Sequence, residues 1–89
     1  MTYALAFLPI AWEDYLHWQQ TDKAILRRLN ALLKELQRTP FVGTGKPELL
    51  RYERAGTWSR RVTDEHRLVY RVEGETVWIL QARYHYTTK

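Results

Sequence analysis

The chain has no cysteine, one methionine, three prolines and four glycines among its 89 residues. Without cysteine there is no disulfide framework and no thiolate metal site, an absence that fits a cytoplasmic protein. The few prolines and glycines punctuate the chain and form no linker, low-complexity segment or repeat. No apolar run approaches the roughly 20 residues that cross a bilayer, so no membrane span is expected. The amino-terminal run from Tyr3 to Leu8 lacks a basic start and stops at Pro9, unlike a secretory signal. Metal-ligand spacings such as HxxxH or CxxC are missing, and Ser59 has no His/Asp partnership for a nucleophilic triad. These absences leave a small soluble domain working without metal or cofactor.

What the chain does have is aromatic side chains and arginine. Its length fits one domain, 1–89, and a domain this small buries only about 60–65% of its unfolded surface. Four tryptophans, six tyrosines and two phenylalanines compensate, since each buried ring removes a large apolar area from water. The formal net charge is +4. Residues 1–48 hold six basic against five acidic side chains, and residues 49–89 hold eight against five. The excess therefore sits in the second half and is nearly all arginine, whose planar fork suits phosphate. A nucleic-acid partner becomes a candidate on that ground.

Tyr3 to Leu8 is short, apolar and aromatic, as a buried strand is. Pro9 suits a first helical turn. From Ile10 to Gln20, Ala11, Trp12, Tyr15, Leu16 and Trp18 recur at helical steps, with Glu13 and Asp14 near the start to complement the dipole. Thr21 or Asp22 caps a second helix running to about Arg38, with Ile25, Leu26, Leu29, Leu32, Leu33 and Leu36 as its apolar face. Pro40 stops it, and residues 41–47 read as a loop. The period then becomes two. Strands are predicted over Leu50–Arg54, Thr57–Thr63, Arg67–Val72 and Thr76–Tyr84, joined by hairpin-length gaps. The fold class is α+β: one strand, two helices, then a four-stranded antiparallel meander with the helices on one sheet face.

Alternation decides which side chains share a surface. Trp58, Arg60 and Val62 face one way, with Ser59 and Arg61 opposite; Arg67 faces away from the apolar set Leu68, Tyr70 and Val72. In the last strand Val77, Ile79 and Gln81 alternate with Trp78, Leu80 and Ala82. Arg61, Arg67 and the end of the last strand can thus meet on one open face, with Glu48 and Arg51 approaching it. A carboxylate, guanidiniums and the imidazole of His85 suit RNA cleavage by its own 2′-hydroxyl: a base, cations for the charged phosphorane-like state, and an acid for the leaving oxygen. Imidazole titrates near neutrality, which suits His85 as acid. Close arginines would weaken Glu48 as a base, so it either takes the proton or orients the hydroxyl. The blander readings place His17 and His66 as structural, the four tryptophans as core, and Tyr84 as a core or edge aromatic.

The segments Trp12-Glu13-Asp14-Tyr15-Leu16, Thr21-Asp22-Lys23, Arg38-Thr39-Pro40-Phe41, Gly43 to Leu50, Trp58-Ser59-Arg60-Arg61, Glu65 to Tyr70 and Arg83-Tyr84-His85-Tyr86 together resemble the YoeB toxins of the RelE superfamily. The resemblance implies a RelE-like fold and a ribosome-dependent endoribonuclease that cuts mRNA in the A site. It implies as partners a YefM-like antitoxin, mRNA on the ribosome with its 16S and 23S rRNA, and operator DNA only together with the antitoxin. A homodimer is also implied. By position Glu48 matches the family's general base, Arg67 its phosphate-stabilising arginine, His85 its general acid and Tyr86 an aromatic that places substrate. Arg61, Lys46 and Arg51 match RNA-binding positions, Arg51 standing where relatives commonly carry lysine. Two other classes compete: a non-catalytic ribosome or RNA binder, and a transcriptional co-repressor acting with the antitoxin.

Overall fold

In the computed structural model, residues 2–51 and 56–85 are described. Strand β1 (Ala4–Phe7) leads into α1 (Pro9–Thr21) and α2 (Lys23–Leu36), and four further strands follow. These are β2 (Glu48–Leu49), β3 (Thr57–Arg61), β4 (Arg67–Glu73) and β5 (Thr76–Gln81). They form one sheet in the order β1-β5-β4-β3-β2, antiparallel throughout except where β1 lies parallel to β5. The α+β class and the antiparallel meander are as the sequence implies. The parallel pairing of the first strand with the last has no local sequence signal and sets β1 at the edge of the sheet beside β5.

Pro9 opens α1, where its missing N–H leaves no bond unmade. Asp22 ends α1 and caps α2, its carboxylate accepting from the Ala24 and Ile25 amides at 3.1 Å. On α2 the buried set Leu29, Leu32, Leu33 and Leu36 follows the helical period. It meets Val62, Leu68, Tyr70, Val77, Ile79 and Ala82 of the sheet, with Ala11 and Trp18 of α1. Each large aliphatic buried here contributes about 1.5–3 kcal/mol. Glu13 and Asp14 lie in the second turn of α1 rather than the first, too far in to serve the dipole. Asp14 instead reaches across to the Ala82 amide at 2.9 Å.

Of the tryptophans only Trp18 is buried; Trp58 packs at the core's edge, and Trp12 and Trp78 are exposed. Tyr84 is exposed too, against the core or edge placement that its neighbours imply. The second strand begins earlier than the apolar pattern places it, at Glu48, so Leu50 and Arg51 follow it; positions 52–55 lie outside the described residues.

A register shift between Val69 and Tyr70 has the largest effect on the sheet's open face. Val69 pairs with Gln81 and Tyr70 with Ile79, leaving Leu80 as an extra residue in β5. The bulge reverses the alternation beyond it. Ala82 therefore joins the core, and Gln81 turns to the face away from the helices, contrary to simple alternation.

Candidate active site

Cross-strand partners share a face, so the register defines two rows on the open side of the sheet. Glu48 pairs with Ser59, Ser59 with Val69, and Val69 with Gln81. One step along, Arg61 pairs directly with Arg67. Like charges directly opposite each other destabilise a sheet, so this pairing has a cost that an anion between them would relieve. A pocket of about 100 Å³ lies here, lined by Gly45, Lys46, Glu48, Ser59, Arg61 and Arg67. It has room for about three waters or one phosphoryl group.

The loop before β2 presents Lys46 and Glu48. Gly45 and Lys46 both have positive φ, 87° and 53°, and the Gly45 carbonyl accepts the Arg61 amide at 2.8 Å. Two successive left-handed residues reverse the chain tightly, at a cost of about 1–2 kcal/mol for the non-glycine. What holds this loop is Arg60, fully buried on the helix side. Its five N–H groups reach Tyr70 Oη, Glu35, and the carbonyls of Thr44, Thr39 and Val42. Glu35 also accepts from the Thr44 hydroxyl at 2.9 Å and its amide at 2.6 Å. Arg60 thus fastens residues 39–44 to the sheet while its neighbour Arg61 faces the pocket.

Arg67 is half-buried, and its Nη1 donates to the carbonyls of Thr63 (2.7 Å), His66 (3.1 Å) and Asp64 (3.2 Å). Those bonds fix its fork in the turn before β4. Arg61 is freer, with half its side chain exposed and, among the described residues, a single 3.7 Å ion pair to the solvated Asp64. His85 arrives from the other side. Its Nε2 lies 3.0 Å from the same Asp64 carbonyl that Arg67 contacts. His85 also lines a neighbouring groove of about 500 Å³ with Glu13, Asp14, Gln81, Arg83 and Tyr84.

The structure therefore brings Lys46, Glu48, Arg61 and Arg67 together in one pocket, whereas His85 lines the neighbouring groove and shares only the Asp64 carbonyl with Arg67. Arg51 is exposed and not among the pocket's lining residues, and Tyr86 lies outside the described residues. Sequence reasoning missed Gln81, whose amide donates to the Arg83 carbonyl at 2.9 Å and more weakly to those of Tyr84 and His85. It also missed the part played by His66, whose Nδ1 accepts the Tyr84 amide at 2.7 Å. Among the described residues no group of three His, Cys, Asp or Glu is placed to hold a metal ion. The arrangement can hold an anion between two guanidiniums beside a carboxylate, with an imidazole in the adjoining groove.

Residues 7–86 match the family described as the YoeB-like toxin of bacterial type II toxin-antitoxin systems. The toxin YoeB of Escherichia coli K12 is 54% identical over 76 residues, which cover 85% of this chain and 90% of that protein. Among solved structures, a YoeB/ParE toxin from Agrobacterium tumefaciens superposes with a TM-score of 0.90 at 46% identity. The match covers 93% of this chain and 99% of that one. A YoeB–YefM complex from Staphylococcus aureus gives 0.85 at 40% identity, covering 97% of this chain and all of the other, and a YoeB dimer from the same organism gives 0.87.

Proposed function

We propose that this chain, which belongs to the YoeB family of toxins, is an endoribonuclease that cuts mRNA in the ribosomal A site. As a YoeB toxin it is one half of a toxin–antitoxin system. The observation that carries the catalytic reading is the directly paired Arg61 and Arg67 in one pocket with Glu48, Arg67 sharing the Asp64 carbonyl with His85.

The scissile phosphate occupies the pocket between the two guanidiniums. Glu48 accepts the 2′-hydroxyl proton, or orients that hydroxyl, and the 2′-oxygen attacks phosphorus. Arg61 and Arg67 hold the charge that builds on the non-bridging oxygens; losing one such donor typically costs about 10²–10³ in rate. His85 donates a proton to the departing 5′-oxygen as its bond to phosphorus breaks. The products are a 2′,3′-cyclic phosphate and a 5′-hydroxyl. Tyr86 places the substrate, while Lys46 and Arg51 draw the RNA backbone by charge. No step calls for a metal or cofactor from the protein.

The S. aureus complex supports a YefM-like antitoxin as partner, and the S. aureus dimer supports a homodimer. With a charge of only +4, the toxin is expected to bind operator DNA only alongside its antitoxin. Action on ribosomes places it in the bacterial cytoplasm, as a single domain over 1–89.

Primer extension on a defined message, translated in a purified system, tests the reading. Wild type should create new primer-extension stops, the 5′ ends of downstream fragments, at A-site codons, and Glu48→Gln and His85→Ala should not. Arrested translation with an intact message would instead identify a non-catalytic ribosome binder.

A further inference from the structure

Resting on the reading of His85 as the acid, we propose that His66 is a positioning residue: its neutral imidazole accepts the Tyr84 amide hydrogen and so sets the turn that aims His85. Tyr84 has φ 64°, in the left-handed region that a non-glycine residue enters at a cost of about 1–2 kcal/mol. Such a conformation persists only where its surroundings over-determine it. Here the Tyr84 amide donates to His66 Nδ1 at 2.7 Å, and the Tyr84 carbonyl accepts the Arg67 amide at 3.0 Å. Both peptide groups of the strained residue are thereby tied to His66, just before β4, and Arg67, which opens it. His85 follows directly.

The imidazole is itself held. Trp18 meets its ring edge-to-face at 4.7 Å, and the Tyr84 ring lies 5.6 Å away. The His66 backbone is fixed by the Thr63 hydroxyl at 3.1 Å, and its carbonyl accepts from Arg67 Nη1. One residue thus contacts the phosphate-binding arginine through its backbone and the acid's turn through its ring. The rest of the segment is fastened independently: Asp14 Oδ2 takes the Ala82 amide and Trp18 Nε1 donates to the Ala82 carbonyl, both at 2.9 Å. Loss of the His66 bond should therefore loosen Tyr84 and His85 without releasing the strand.

Accepting at Nδ1 requires a neutral ring protonated on its other nitrogen, since an imidazolium has no acceptor. The groups facing it are Glu65 on its own turn, Asp14 and His17 on α1, and Arg83 beside Tyr84. Desolvation, with Arg83 and His17, outweighs the carboxylates and holds the ring below its ordinary value of 6.5. The depressed value means the bond is complete above about pH 6.5 and is lost as pH falls through the folded value.

The test compares wild type with His66→Asn, whose side-chain oxygen can replace the Nδ1 acceptor but cannot titrate, and His66→Leu, which fills space without accepting. Single-turnover cleavage at pH 7.5 should fall about 10²-fold in His66→Leu, the cost of a mis-set catalytic group, with ribosome affinity unchanged. His66→Asn should keep most of the rate and lose the part of the acid-side decline that His66 causes. A fully active His66→Leu, or a His66→Asn as slow as His66→Leu, would overturn the proposal. A second measurement needs no cleavage and no variant: in wild type the Tyr84 amide resonance should titrate with the His66 ring. A Tyr84 amide indifferent to that titration overturns the proposal, whereas absence of cleavage by wild type would overturn only the proposed function.

Discussion

Arg60 donates its Nε hydrogen to the Tyr70 hydroxyl at 3.1 Å, and both side chains are fully buried. Tyr70 in turn donates to the Pro40 carbonyl at 2.7 Å. A charge normally excluded from a core is here surrounded by acceptors, and the loop leading to Glu48 hangs from it. Replacing Arg60 with leucine would take a donor from Glu35, Tyr70 and three loop carbonyls at once. Such a loss is expected to cost about 3–5 kcal/mol. Denaturant unfolding of Arg60→Leu should show it; a midpoint matching wild type would contradict the structural role given to Arg60.

Glu35 makes the same network sensitive to pH. Burial raises its carboxyl, but the Thr44 amide and hydroxyl and the Arg60 guanidinium overcome this and hold it below its ordinary value of 4.5. A depressed folded value means its contribution is whole above about pH 4.5 and drains away as pH falls through the folded value. Acidification from neutral to about pH 3.5 should therefore cost wild type more stability than it costs Glu35→Gln. Equal losses would show that Glu35 is not held as described.

The turn before β2 offers a conformational test. A Cβ on Gly45 would lie 3.1 Å from the Arg61 carbonyl oxygen, at a φ of 87°. Gly45→Ala should destabilise by about 1–2 kcal/mol and move Glu48 with the turn. Lys46→Gly sits comfortably at φ 53°, so its thermal midpoint should not fall even though RNA binding weakens. A clear drop in that midpoint would mean the left-handed strain at Lys46 is not there to relieve.

Arg61 and Arg67 should separate folding from activity. Among the described residues the exposed Arg61 side chain makes just the long ion pair to Asp64, so Arg61→Ala should unfold within about 0.5 kcal/mol of wild type. Its cleavage rate should still fall about 10²-fold or more. Arg67→Ala should lose both, because three turn carbonyls lose their donor. An Arg61→Ala protein that cleaves normally would remove that guanidinium from the mechanism.

Much of this was legible in the chain because its signals are local. The leucine period of α2, the Asp22 cap and the alternation around Arg61 and Arg67 each depend on neighbouring residues. The pairing of β1 with β5 joins Ala4 to Thr76, and no local pattern encodes that contact. The bulge at Leu80 was likewise hidden, since one inserted residue leaves the apolar pattern intact but exchanges the faces of Gln81 and Ala82. Alternation did place Arg60 on the apolar side with Trp58 and Val62. Its partner Glu35, 25 positions earlier on a helix, could come only from the fold. His66 read as structural for the same reason, its partner Tyr84 being 18 positions away.

The RNA is proposed to supply its own nucleophile to the pocket of Glu48, Arg61 and Arg67, with His85 of the adjoining groove as the acid. A translated message with a single 2′-deoxynucleotide on the 5′ side of the cleaved bond tests it most directly. The ribosome-bound toxin should leave that message whole while cutting the all-ribose message to 2′,3′-cyclic phosphate and 5′-hydroxyl ends. Cleavage of the deoxy-substituted message at the same bond would contradict it.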